Sequence, residues 1–110
     1  MKESILIIHI KRKYYDMILS REKIYEYRVY KKYWIDRLVG KKYDYILFIN
    51  GYKKDSPKIK ACYLGYDIIP KKLLPYYAFK EFYKFSDSIY KFHACIFFRI
   101  KFKFLWGYYK

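Results

Sequence analysis

Hydrophobic and polar positions change period several times along the chain, and each change predicts an element. Ile5–Ile10 is a short β-branched run with polar residues on both sides, the pattern of a buried strand. Lys13–Ser20 takes helical spacing. Tyr14, Met17 and Ile18 fall at i, i+3 and i+4 and face the core, while Asp16 and the basic residues face water. Over Lys23–Tyr30 the period drops to two: Ile24, Glu26, Arg28 and Tyr30 share one face, and Lys23, Tyr25, Tyr27 and Val29 the other. Lys31–Val39 returns to a helix with Trp34, Arg37 and Leu38 on one side and Gly40 as its stop. Tyr43–Ile49 is a strand, Asn50-Gly51 a turn that continues as a polar loop through Lys53–Pro57, and Ile59–Tyr66 a returning strand.

Further on, Pro70 and Pro75 break an aromatic stretch, Lys71–Phe85, which reads as a loop followed by a helix from about Tyr76. The last segment alternates. Phe92, Ala94, Ile96, Phe98, Ile100, Phe102 and Phe104 form the inner face of a long strand; His93, Cys95, Phe97, Arg99, Lys101 and Lys103 form its outer face. Strands outnumber short helices, and no repeat or linker interrupts the 110 residues. The expected class is α+β in a single domain, a small sheet curled into an open barrel with short flanking helices.

Composition narrows the function. Hydrophobic residues make up 55% and aromatics 25%, including 17 Tyr and 9 Phe, which excludes disorder. The length excludes a two-domain enzyme with its own nucleotide fold. Against 25 basic residues stand 10 acidic ones, a net charge of +15, and the excess is +7 in residues 1–55 and +8 in 56–110. It is therefore not a tail. Abundant Lys, Ile, Tyr and Phe is what an AT-rich genome yields, so part of the Lys count carries no function; the shortage of acids has no such origin. A domain this basic attracts polyanions, nucleic acid above all.

Cys62 and Cys95 have no metal-ligand spacing, with only His9 and His93 to assist, so no metal and no cofactor are expected, and both read as small buried hydrophobes. His93 reads as a packed or surface residue. Ile5–Ile8 is too short for a signal-peptide core, and no run reaches the roughly 18 apolar residues of a membrane span. The expectation is a cytoplasmic protein with no membrane partner.

The chemistry concentrates in Lys23-Ile24-Tyr25-Glu26-Tyr27-Arg28. Strand interiors carry charges only when these are paired or line a cavity. Glu26 and Arg28 share a face, and an adjacent Arg keeps a carboxylate ionised and oriented. The pattern fits a polar pocket with one acid and two bases, and fits equally a structural ion pair at a sheet edge.

The run Tyr14–Arg28 resembles the ASCH domain signature, a helix followed by Gly-x-Lys-x-x-Glu-x-Arg opening a strand. The similarity continues through Tyr33-Trp34, Arg37-Leu38, Tyr43-Asp44, Phe48–Tyr52 and Asp55–Pro57, and covers about residues 5–68, as in small stand-alone ASCH proteins of bacteria and their phages. It implies a PUA-like fold, a small β-barrel with helices at its openings, and a cleft lined by Lys23, Glu26 and Arg28 that suits RNA or a nucleobase. Family members are assigned to RNA binding, ribonuclease activity or removal of acetyl from acetylcytidine. Arg21 stands where the family has Gly, and the match fades after Ile69, leaving 69–110 divergent. Deacetylating members carry Thr where this chain has Glu26; a Thr hydroxyl serves as an acyl nucleophile, whereas Glu serves better as a general base.

In that cleft Glu26 accepts from a base amine or activates water, Lys23 binds phosphate or polarises a carbonyl, and Arg28 holds Glu26. Tyr25, Tyr27, Trp34 and Tyr52 either stack on bases or pack the core. Asn50 either bonds a base edge or serves the turn. Arg99, Lys101 and Lys103 either follow a phosphate backbone or protect an edge strand. The first expectation is RNA or nucleotide binding. The alternatives are an enzyme with Glu26 and Lys23 as catalytic residues, ribonuclease before deacetylase, and a phage-type module that blocks an acidic protein.

Overall fold

The computed structural model describes residues 2–83 and 96–108. His93, Cys95 and the predicted start of the last strand at 92–95 lie outside the described residues. The elements are β1 (Ile5–His9), α1 (Arg12–Leu19), β2 (Tyr25–Val29), α2 (Lys32–Leu38), β3 (Tyr45–Ile49), β4 (Lys58–Pro70), α3 (Tyr76–Tyr83) and β5 (Ile96–Gly107). They make a small α+β fold: a five-stranded sheet in the order β1-β3-β4-β5-β2 with three short α-helices. β1 runs parallel to β3, from Ile5 opposite Tyr45 to His9 opposite Ile49. β3 returns antiparallel as β4, from Tyr45 opposite Cys62 to Ile49 opposite Lys58. The turn between them is the predicted Asn50-Gly51, with Gly51 at φ +123°, a backbone conformation closed to larger residues.

The described residues pack as two compact units, one of residues 2–25, 42–65 and 101–108, the other of 26–41, 66–83 and 96–100. In the first, Leu6, Ile8, Ile46, Phe48, Ile59, Ala61 and Phe102 are buried, and Phe48 meets Phe102 edge-on at 4.9 Å. α1 buries Tyr15, Ile18 and Leu19, not the predicted stripe of Tyr14, Met17 and Ile18. Both stripes have i, i+3, i+4 spacing. The second wins because it adds Leu19 and because the Tyr15 hydroxyl donates to the Tyr108 carbonyl at 2.7 Å, with the Lys58 carbonyl at 3.2 Å.

α1 ends in a left-handed residue. Arg21 has φ +72°. The guanidinium bonds the Leu19 carbonyl and lies 3.2 Å from the centroid of the Phe104 ring. A left-handed L-residue costs about 1–2 kcal/mol, and an exposed cation–π contact returns about 0.5–1 kcal/mol. Arg21→Ala keeps the strain and loses the contact, whereas Arg21→Gly loses both. In urea unfolding the Gly variant is expected to be more stable than the Ala variant by about 1 kcal/mol; equal stabilities would mean an unstrained turn.

In the second unit, Trp34 and Leu38 form the buried side of α2 as their spacing predicts, and Gly40 follows two residues after the helix ends. Phe98 lies between two rings, with Tyr30 at 5.0 Å and Tyr66 at 5.1 Å. β4 runs on to Pro70, past its predicted end at Tyr66, with Gly65 at φ +93° inside it. A positive-φ glycine within a strand lets it bend where another residue would end it. β5 departs from the predicted alternation. Phe97, expected outside, is fully buried beside Phe98, while Ile96, expected inside, is 38% exposed.

Candidate functional site

The charged segment that opens β2 spans the two units, and each part has its own surroundings. In the first unit Lys23 is buried, its side chain folded back so that Nζ donates to the Tyr25 carbonyl at 2.5 Å. Its backbone N–H donates to the Met17 carbonyl at 3.0 Å, which ties the segment to the last turn of α1. The Tyr14 ring lies 5.9 Å from Nζ. Tyr25 is half-buried.

In the second unit Glu26 is only 4% exposed. Two nitrogens of Arg28, Nε at 2.9 Å and Nη2 at 2.6 Å, donate to its Oε2. Residues two apart on a strand share a face, so β geometry alone brings this pair together. The Arg28 guanidinium also lies 4.8 Å from the Trp34 ring centroid. Trp34 comes from α2, and its own burial fixes the ring under the cation. The carboxylate therefore sits at the end of a built arrangement, an indole supporting a guanidinium that orients an acid. It is an acceptor of fixed direction at a site water hardly reaches.

Tyr27 is buried and meets Tyr77 of α3 edge-on at 6.4 Å, so it packs the unit's interior. Arg99 pairs with Asp67 at 3.0 Å, Lys101 is half-buried and Lys103 is exposed. Of the three cations alternating along β5, one is thus already neutralised by a carboxylate.

Asn50 and Tyr52 belong to the β3–β4 turn of the first unit. The Asn50 side-chain amide donates to the Ile10 carbonyl at 3.0 Å, and its backbone N–H to the Pro57 carbonyl at 3.0 Å. Asn50 holds the turn shut. Tyr52 is 86% exposed, and one ring face stacks on His9 at 4.2 Å and 17°. Because a carbonyl only accepts, the 2.9 Å contact from His9 Nδ1 to the Gly51 carbonyl puts the proton on Nδ1. Tyr52 is accordingly an aromatic platform at a well-braced turn.

Two residues of α2 were not among the sequence-derived candidates. Arg37 stacks on Tyr33, 3.4 Å from the ring centroid, and its Nη1 donates to the Tyr33 carbonyl at 3.0 Å. Their i, i+4 spacing within the predicted helix is the signal that would have found them. Among the described residues no group of three His, Cys, Asp or Glu side chains could hold a metal ion, and no helix is long and apolar enough to cross a membrane.

No family model matches this chain, and neither a curated protein nor a solved structure does.

Proposed function

We propose that the chain is a PUA-like, ASCH-type domain that binds RNA or a nucleotide through the charged segment 23–28. The observation that carries this reading is Glu26, a carboxylate buried on a strand and oriented by Arg28 over Trp34. A buried ion pair contributes little to stability compared with apolar residues of the same volume. A function that needs a fixed acceptor gives it a reason to be there. The exocyclic amine of a base is a donor of the right kind, and Arg28 keeps Glu26 in its accepting form. Lys23, bonded to the backbone, adds positive potential to the segment rather than a swinging phosphate contact. The net charge of +15 supplies the long-range attraction to a polyanion.

The test is binding and cleavage of labelled single-stranded RNA at 50 and 200 mM salt, with wild type beside Glu26→Gln. Wild type is expected to bind without cleaving and to lose about twentyfold in affinity between the two salts, as release of counterions from about three phosphates requires. Glu26→Gln is expected to weaken binding at both salts alike. Cleavage by wild type that Glu26→Gln abolishes would instead make Glu26 a general base and the protein a ribonuclease. Absence of binding at 50 mM would overturn the RNA reading and leave an acidic protein as the next partner to test.

A further inference from the structure

The contacts around Glu26 continue outward beyond the pair itself. Glu26 is bonded to Arg28, Arg28 lies over Trp34, Trp34 meets Tyr33 edge-on at 5.1 Å, and Tyr33 carries Arg37 at 3.4 Å. Cations and aromatic rings thus form one continuous ladder within the second unit. Its inner end is a buried carboxylate. Its outer end is the solvent face of α2, where Tyr33 is 52% exposed. The segment is strongly basic: residues 31–41 hold Lys31, Lys32, Arg37 and Lys41 against one acid, Asp36, which Lys32 engages at 2.6 Å.

We infer that the ligand is a single strand of RNA rather than a free nucleoside, and that Tyr33 and Arg37 on α2 take the nucleotide next to the one at Glu26. The inference rests on the RNA-binding reading given above. Three features carry it. A guanidinium pinned flat on a tyrosine offers a second planar surface on which a base can continue the stack. A guanidinium is also the side chain whose planar fork best matches a phosphate. Positive charge on both sides of the stack follows a chain of phosphates, which a nucleoside lacks. An Arg–Tyr contact at i, i+4 also steadies a helix, so the decisive readout is dependence on ligand length, which helix stability does not alter.

The experiment titrates cytidine, cytidine monophosphate and oligocytidylates of increasing length, whose bases carry the exocyclic amine that Glu26 accepts, against wild type, Arg37→Gln, Arg37→Lys, Tyr33→Ala and Tyr33→Phe. Wild type is expected to bind the oligomers at least tenfold more tightly than the monophosphate. Arg37→Gln and Tyr33→Ala are expected to erase most of that gain while leaving monophosphate affinity unchanged. Arg37→Lys, which keeps the charge but not the plane, is expected to behave like Arg37→Gln, and Tyr33→Phe like wild type. Circular dichroism confirms that each variant is folded. A wild type that binds monophosphate and oligomer equally overturns the extension and leaves the base site standing. So does a length gain that survives loss of Arg37. If polyglutamate competes as well as oligocytidylate and with the same sensitivity to Arg37, the face reads acidic protein and the inference fails. A wild type that binds none of these RNAs at low salt overturns both readings together.

Discussion

Arg28→Ala is expected to destabilise the protein by about 3 kcal/mol, and to lower its melting temperature by roughly 10 °C or more. The guanidinium is bonded to the Glu26 carboxylate, so the largest part of the effect has an electrostatic origin. Glu26 is 4% exposed and receives two hydrogen bonds from Arg28 at its Oε2. With Arg28 gone, a carboxylate remains in a site shielded from water without the charge that Arg28 supplies. The same change strips the cation from Trp34, 4.8 Å away, which adds a smaller loss. Two further variants separate these causes. Glu26→Gln keeps the shape and removes the charge, so combining it with Arg28→Ala is expected to recover a substantial part of the loss. Replacing the pair with Glu26→Leu and Arg28→Met is expected to be close to neutral for stability while abolishing the RNA binding proposed above. Urea unfolding of the three proteins is the measurement. An Arg28→Ala loss below about 1 kcal/mol would show that Glu26 is held by other partners.

Phe97→Ala is expected to cost about 3–5 kcal/mol, and Ile96→Ala less than about 1.5 kcal/mol. Strict alternation along the last strand predicts the reverse order, because it places Ile96 inside and Phe97 among the basic outer residues. The fold buries Phe97 completely and leaves Ile96 38% exposed. Removing a fully buried ring forfeits its transfer free energy and leaves a cavity that neighbours fill only in part. Removing a side chain already in partial contact with water forfeits much less. Chemical denaturation of the two single variants compares the accounts directly. A larger loss for Ile96→Ala would mean that β5 enters the sheet in the alternating register.

The reason alternation misleads at this point is physical. Period two reports one buried face and one solvated face, as in a sheet covered on one side. Where a strand begins between other elements, both faces can be buried, and consecutive apolar residues are then all interior. Phe97-Phe98 has this character, but on paper it looks like any pair in an aromatic-rich chain. The stripe of α1 failed for a related reason. Tyr14-Tyr15 and Ile18-Leu19 allow two overlapping helical faces, and the choice fell to a carbonyl at Tyr108, far along the chain.

The charged pair was legible because its geometry is local. Residues 26 and 28 meet by strand pleat alone, and a Glu and an Arg on an apolar strand announce that they need each other. Trp34 was legible as a buried helix residue, but its position under Arg28 was not, since that depends on how α2 returns beside β2. Tyr33 and Arg37 stand at i, i+4, the spacing at which helix side chains meet, but that the guanidinium lies on the ring is a fact of the folded helix. Asn50 and Tyr52 arise from one turn signal, which marked the turn and not the opposite roles of its residues. Asn50 bonds inward to Ile10, while Tyr52 stands outward on His9.

By itself the sequence determined what nearest neighbours on the chain decide: the order and types of most of the elements, the Asn50-Gly51 turn, the Glu26–Arg28 pair and the basic character of the surface. Hydrophobic period, turn chemistry and composition act over a few residues, and they need no knowledge of what packs across from them. The tertiary structure alone decided which face of α1 is buried, that both Phe97 and Phe98 are interior, that β4 continues past Gly65, and that Lys23 folds back on its own backbone. It also joined Glu26, Arg28, Trp34, Tyr33 and Arg37 into one ladder. Each of these outcomes is a choice between locally equivalent arrangements, and burial and long-range hydrogen bonds select among them only when distant segments meet.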